Sequence, residues 1–322
     1  MADETVAWRN DSMVHLPAAM TKWKVYPYAA VALFLCVITG TEGVQGHGAY
    51  HELVVAMTAD IEKQPTNAEL YRRRAHVHVE HEDWQTALVD LEMADRLSHE
   101  PVESDFLRGR ALLLGRHFKE ARQCLNEYID AHPNLGTPRL FRARVLGALE
   151  LNEDAFLDYQ HGYSLLPQVE PDHVFELAQF ANLAGGPERA LAAMEDGMRR
   201  IGPLAALVDQ AVKLEVSLKR YDAAVKRLDD ALANTQLKTP WMAKRAELLT
   251  QAGRKSEADQ AWQTLVDHIL AMPTLERGSH SMCRLLEQAQ QALGKAPASA
   301  SVIAAPSRTS FSANTPPSSP HP

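Results

Sequence analysis

Two clusters of histidine in this 322-residue chain have the residue types and spacing for metal chemistry. The first is the run His76, Val77, His78, Val79, Glu80, His81, Glu82, Asp83. On a helix His78 and His81 share a face, and His76 stands one turn from Glu80. Imidazole and carboxylate ligands suit a divalent transition ion. Neither an HExxH pattern nor a cysteine accompanies them, so helix-face and capping histidines are the expected role. The second cluster is His47, Gly48, Ala49, Tyr50, His51. With His47 as the first residue of a processed chain, its amino group and ring would chelate a cupric ion, and His51 would add a further nitrogen. Copper binding through His47 and His51 is therefore the alternative function, and no other cofactor is expected.

Catalytic patterns are missing. There is no nucleophile elbow, phosphate loop, zinc-protease helix or dinucleotide fingerprint, and the expectation is a chain that is not an enzyme. The three cysteines, Cys36, Cys124 and Cys283, are too few and scattered for a disulfide framework or a CxxC site. With 33 basic against 41 acidic residues, the formal charge of -8 argues against nucleic acid or anionic lipid as a partner.

The amino-terminal region carries the pattern of an export signal. Lys22 and Lys24 precede an apolar run from Tyr28 or Ala29 to Ile38, and the small and polar stretch Thr39 to Gly48 follows. The run is shorter than the roughly 20 residues that a membrane-spanning helix requires. A cleavable leader over 1–46 is expected, with translation starting at Met13 or Met20. Val44 and Gly46 mark cleavage before His47, and Thr41 and Gly43 mark a second candidate. The implied location is export to the periplasm, with no stable membrane span after cleavage. An inner-membrane anchor formed by the same segment is the alternative.

What must position any site is a repeat. An alanine followed four residues later by a large side chain recurs as Ala87 and Leu91, Ala121 and Leu125, Ala155 and Tyr159, Ala190 and Met194, Ala224 and Leu228, Ala258 and Trp262. The alanines are separated by 34, 34, 35, 34 and 34 residues. Twelve residues before each stands Ala75, Gly109, Ala143, Ala178, Val212 or Ala246, small enough, Val212 apart, for two helices to approach closely. Trp84, Phe118 and Tyr221 stand three before the alanine in three units. Pro133, Pro167 and Pro203 punctuate the ends of second helices.

This pattern resembles the tetratricopeptide repeat, a helical hairpin of period 34. The resemblance covers about 67–270 and implies an all-α, right-handed α-solenoid of six hairpins with capping helices at its ends. The expected organisation is a leader over 1–46, a mature terminus and capping helix over 47–66, the array over 67–270, a second cap over 271–294 and a disordered Ala/Ser/Pro-rich tail over 295–322. Gly185, Gly186 and Pro187 predict an irregular fourth turn that accounts for the 35-residue interval.

The resemblance also implies that first helices line a concave groove that holds a protein or peptide. In its register the groove receives Arg72, His76 and Glu80, then Phe106, Arg110 and Leu113, then Leu140 and Arg144. Phe175, Gln179 and Asn182 follow, with Asp209 and Lys213 beyond. Arg110 and Arg144 occupy equivalent positions in adjacent repeats, and neighbouring guanidinium groups suit a carboxylate through forked hydrogen bonds. Arg74, Arg108 and Arg142 fall beside the close helix contact, where their stems would pack. The same register turns His78 toward the inter-helix core and His76 toward the groove. The family's clamp for carboxylate tails uses lysine and asparagine, which this groove lacks at the matched positions, so that specificity does not carry over. The expected function is a protein-protein interaction scaffold or adaptor.

Overall fold

The computed structural model describes residues 45–98 and 101–295, and every regular element among them is helical. Two compact units divide the chain between Asp60 and Ile61. The described part of the first belongs to helix α1, Gln45–Lys63. The expected leader falls on residues outside the described ones, except Gln45 and Gly46, which begin α1. The tail from 296 onward also lies outside them.

The second unit is a run of helical hairpins. They are α2 (Ala68–Glu80) with α3 (Trp84–Leu97), α4 (Asp105–Leu114) with α5 (Phe118–Ala131), and α6 (Gly136–Ala148) with α7 (Asn152–Ser164). Then come α8 (Pro171–Gly185) with α9 (Pro187–Ile201), α10 (Ala205–Ser217) with α11 (Tyr221–Ala233), and α12 (Lys238–Gln251) with α13 (Lys255–Leu270). Each second helix also packs on the first helix of the next hairpin, which makes the unit an all-α repeat solenoid. The short α14 (Thr274–Arg277) leads to α15 (His280–Ala292), which packs on α13 through buried Leu286 and Ala289.

The repeated residues are the ones that hold the hairpins together. All six marker alanines, and the large side chains four residues after them, are at most 3% exposed. The small residues twelve positions earlier are buried opposite them. At Gly109 an added Cβ would lie 2.6 Å from Leu125 Cγ, so only glycine fits between α4 and α5 without a shift.

Turns inside the hairpins repeat as faithfully. Glu82, Arg116, Glu150, Lys219 and Gly253 all have φ between 58° and 73°, each five residues before its marker alanine. In this left-handed conformation four of the five carry a side chain, at a steric cost that glycine escapes. The fourth turn differs. A single residue, Gly186 at φ 80°, separates α8 from α9, and prolines open both helices.

That turn does not account for the 35-residue interval. Ala178 lies twelve residues before Ala190, as in every other unit, whereas Ala155 to Ala178 is 23 residues where the corresponding steps elsewhere are 22. The extra residue therefore belongs to the linker between α7 and α8, residues 165–170, where Pro167 keeps the chain out of helix.

Candidate functional site

The first helices of the second and third hairpins build an arginine–aromatic row. Phe106 on α4 meets the edge of Phe141 on α6 at a centroid distance of 5.5 Å and stacks at 5.5 Å on Tyr128 of α5. The Arg110 guanidinium lies 4.9 Å from the Phe141 centroid and 5.8 Å from that of Phe106. That of Arg144 lies 4.5 Å from the same Phe141 ring. Contacts of this length between a guanidinium and a ring face are attractive, the more so where water is thinned out. Arg110 and Arg144 thus share one aromatic platform, which comes from the residue three before Arg144 on the same helix.

Their charges are treated differently. Arg144 donates from Nε and Nη2 to the two carboxylate oxygens of Glu176 on α8, at 2.6 and 2.8 Å. The hydroxyl of fully buried Tyr159 donates to the same carboxylate at 2.9 Å. Arg110 has a single bond, from Nη2 to Oε1 of Glu80 at 2.6 Å, and its Nε is buried without a hydrogen-bond partner. Glu80 is 40% exposed, with His76 Nε2 3.4 Å from the oxygen that Arg110 holds. The expected pair of arginines open to one carboxylate is therefore an asymmetric pair, with Arg144 bound into the fold and Arg110 held by one exposed side chain.

Other residues expected in the groove separate by role. Arg72 donates to Ser98 Oγ at 2.8 Å and to Ser104 Oγ at 3.3 Å, tying α2 to the connection between α3 and α4. Leu140 is only 2% exposed and belongs to the core. Its neighbour Phe141, half-buried, is the ring that meets the two arginines. Leu113 and Phe175 pack half-buried against the cores of their hairpins. Gln179 and Asn182 on α8 are exposed, and neighbouring Leu183 is a large apolar side chain open to water. Asp209 accepts from Lys213 at 2.8 Å and also from Lys244, joining α10 to α12.

Arg74, Arg108 and Arg142 do more than pack their stems. Arg74 holds Asp90 through two bonds at 2.8 and 2.6 Å, and Arg142 holds Asp158 through two at 2.7 Å. Asp90 and Asp158 stand sixteen residues later, on the second helix of the same hairpin. In the second hairpin that later position is Cys124, and Arg108 turns instead to Asp95 and Asp105. Burial among these groups pushes the Cys124 thiol up to about 11.

The histidine cluster does not converge. His76 is half-exposed on the first-helix face, while His78 is buried with Nδ1 3.7 Å from Asp83 and Nε2 3.7 Å from Asp90. Burial holds the His78 pKa below its ordinary value, and the two carboxylates oppose that shift. Among the described residues no group of three or more His, Cys, Asp or Glu side chains is arranged to hold a metal ion. His47 and His51 stand four residues apart on α1, and the His47 side chain lies outside what is described. No helix of the described residues is long and apolar enough to cross a membrane.

Phe141, Glu176 and Tyr159 complete the row and were not among the residues expected to line it. Their signal is the repeat register itself. Phe141 and Glu176 both stand fourteen residues before a marker alanine, and Lys244 does the same in the sixth hairpin.

No family model matches the chain. A human protein, tetratricopeptide repeat protein 12, is 27% identical over 119 residues, which are 37% of this chain and 16% of that protein. The chain thus aligns with about a sixth of that relative's length. Among solved structures, YrrB, described as a tetratricopeptide-repeat protein with an unusual peptide-binding site, is 19% identical with a TM-score of 0.44, covering 55% of this chain and 91% of its own. A tetratricopeptide repeat protein from Parabacteroides merdae is 11% identical with a TM-score of 0.44, covering 78% of this chain and 93% of its own. The repeat type stands on the 34-residue register and on the buried positions that it predicts, and the human relative agrees with it.

Proposed function

We propose that this chain of tetratricopeptide repeats is a non-catalytic interaction scaffold of the bacterial envelope, holding a protein or peptide partner against the first helices of its first four repeats. The carrying observation is the row formed by Phe106, Arg110, Phe141 and Arg144, continued by exposed Gln179, Asn182 and Leu183. Arginine and aromatic side chains fixed by their neighbours lose little rotamer freedom on binding, which is why they concentrate binding energy at interfaces. Residues with reactive potential are used otherwise: the histidines are split between core and surface, and the pKa of Cys124 is raised by burial.

The test is a pull-down of native-host extract with the full chain, compared with Arg110→Glu and with an outer-face control, Lys226→Glu. Loss of the same partner from the first variant alone supports the groove. Equal recovery with all three proteins places binding elsewhere.

Export rests on the basic and apolar run from Lys22 to Ile38. Copper binding by His47 and His51 is a second proposal, supported by their one-turn spacing on α1. Mass spectrometry of the protein recovered from its host tests both. A mature chain beginning at His47 agrees with both, a first residue elsewhere after processing removes the copper reading, and an intact leader removes cleavage.

A further inference from the structure

We infer that Glu80 is a resident stand-in for the ligand, and that the partner brings a carboxylate which displaces it from Arg110. This rests on the groove reading and assigns to one residue of that groove the selection of an acidic segment.

Arg110 is sunk against two rings, with only 14% of its side chain exposed, so its orientation is set before any ligand arrives. Its Nε is sealed in and unpaired, which leaves the terminal nitrogens as the groups that face an acid. One of them, Nη2, is satisfied by Glu80. That bond spans two hairpins, and its acceptor is an exposed side chain at the last residue of α2. Glu80 is 40% exposed at a helix end, so water can take up its carboxylate when a second carboxylate replaces it, and the shielded Arg110 guanidinium stays paired throughout the exchange.

Arg144 is the internal contrast. Two of its nitrogens meet one carboxylate, and a buried tyrosine hydroxyl holds that carboxylate in turn. An incoming acid would have to break at least three bonds to replace Glu176, and to replace Glu80 only the bond from Arg110 and the 3.4 Å contact with His76 Nε2. The two arginines share the Phe141 platform, so a ligand that places an apolar group near the rings and a carboxylate at Arg110 satisfies the whole arrangement. The ligand class is an acidic peptide segment with apolar neighbours.

The test uses the full chain and two short fluorescein-labelled peptides, one alternating leucine with glutamate and one alternating leucine with glutamine, followed by fluorescence anisotropy. The wild-type protein should bind the glutamate peptide more tightly. Glu80→Gln removes the competitor and should tighten that peptide by about two- to fivefold, the scale of one ion pair with a solvent-exposed carboxylate, with little change for the glutamine peptide. Arg110→Met should abolish the preference for glutamate, and Arg110→Lys should restore part of it. Glu80→Gln with unchanged or weaker glutamate-peptide binding would overturn the inference, since Glu80 would then be a bystander or a ligand contact. If neither peptide binds while the host partner is still lost from Arg110→Glu, the acid selection is wrong and the scaffold reading stands. If the host partner is also retained by Arg110→Glu, the groove reading fails with it.

Discussion

Arg144 is bound into the fold through the Glu176 carboxylate, and a double-mutant cycle between Tyr159 and Glu176 measures how firmly that carboxylate is built in. Tyr159 is fully buried, and its hydroxyl donates to Glu176 Oε2 at 2.9 Å while Arg144 donates to both oxygens. Tyr159→Phe deletes one hydrogen bond to a charged acceptor and keeps the ring, a loss of about 1.5 to 3 kcal/mol. Glu176→Gln keeps the shape and removes the charge. Because 22% of the Glu176 side chain and 26% of the Arg144 side chain remain in contact with water, the cost is about 2 kcal/mol, below that of breaking a fully buried pair. Were the two effects independent, the double variant would lose about 4 kcal/mol. Since both act through one carboxylate, the double variant should lose only about 2 to 3 kcal/mol, a coupling of about 1 to 2 kcal/mol. Unfolding of a repeat array need not be two-state, so the assay is native-state hydrogen exchange read at the amides of α6 to α9. Additive losses within about 0.3 kcal/mol would refute the shared-carboxylate network.

The turn geometry predicts opposite effects at equivalent positions. Lys219 has φ 58° and Gly253 has φ 73°, so Lys219→Gly should stabilise the fifth hairpin by up to about 1 kcal/mol, and Gly253→Ala should destabilise the sixth by about 1 kcal/mol. Urea titrations with exchange readout at each hairpin check both. The first hairpin should weaken in acid. Burial lowers the His78 pKa in the folded chain, so the unfolded chain binds more protons as pH falls through the ordinary histidine value of about 6.5, and stability falls with it. Exchange of α2 and α3 amides should accelerate between about pH 7 and pH 5.5, and His78→Gln should flatten that dependence. An equal slope in the variant would assign the effect to another group.

The hairpin array was legible because five of the six hairpins place alanine or glycine at the same point of close approach. Ala75, Gly109, Ala143, Ala178 and Ala246 can be found by counting, and counting also places the large partners such as Leu91 and Tyr159. The location of the extra residue was less legible, because Gly185, Gly186 and Pro187 carry the stronger local signal while the insertion lies in the linker before α8. Ion pairing was the least legible part. Arg144 and Glu176 are 32 residues apart, and Arg110 and Glu80 are 30 apart. Which of two neighbouring repeats supplies the acid depends on how the hairpins are offset, and no pattern within one repeat encodes that. Leu140 illustrates the same limit at finer grain, since a rotation of one position decides whether Leu140 or half-buried Phe141 meets the arginines.

Site-specific photo-crosslinking in the native host decides whether the first-helix face of the first four repeats holds a partner. A photoreactive residue at exposed Gln179, and another at half-exposed His76, should join the same partner in the native host. The same group at exposed Gln123 or Lys226 on second helices should not. Crosslinks from Gln123 and Lys226 to that partner, with none from His76 or Gln179, would place binding on the second helices and rule out the first-helix face.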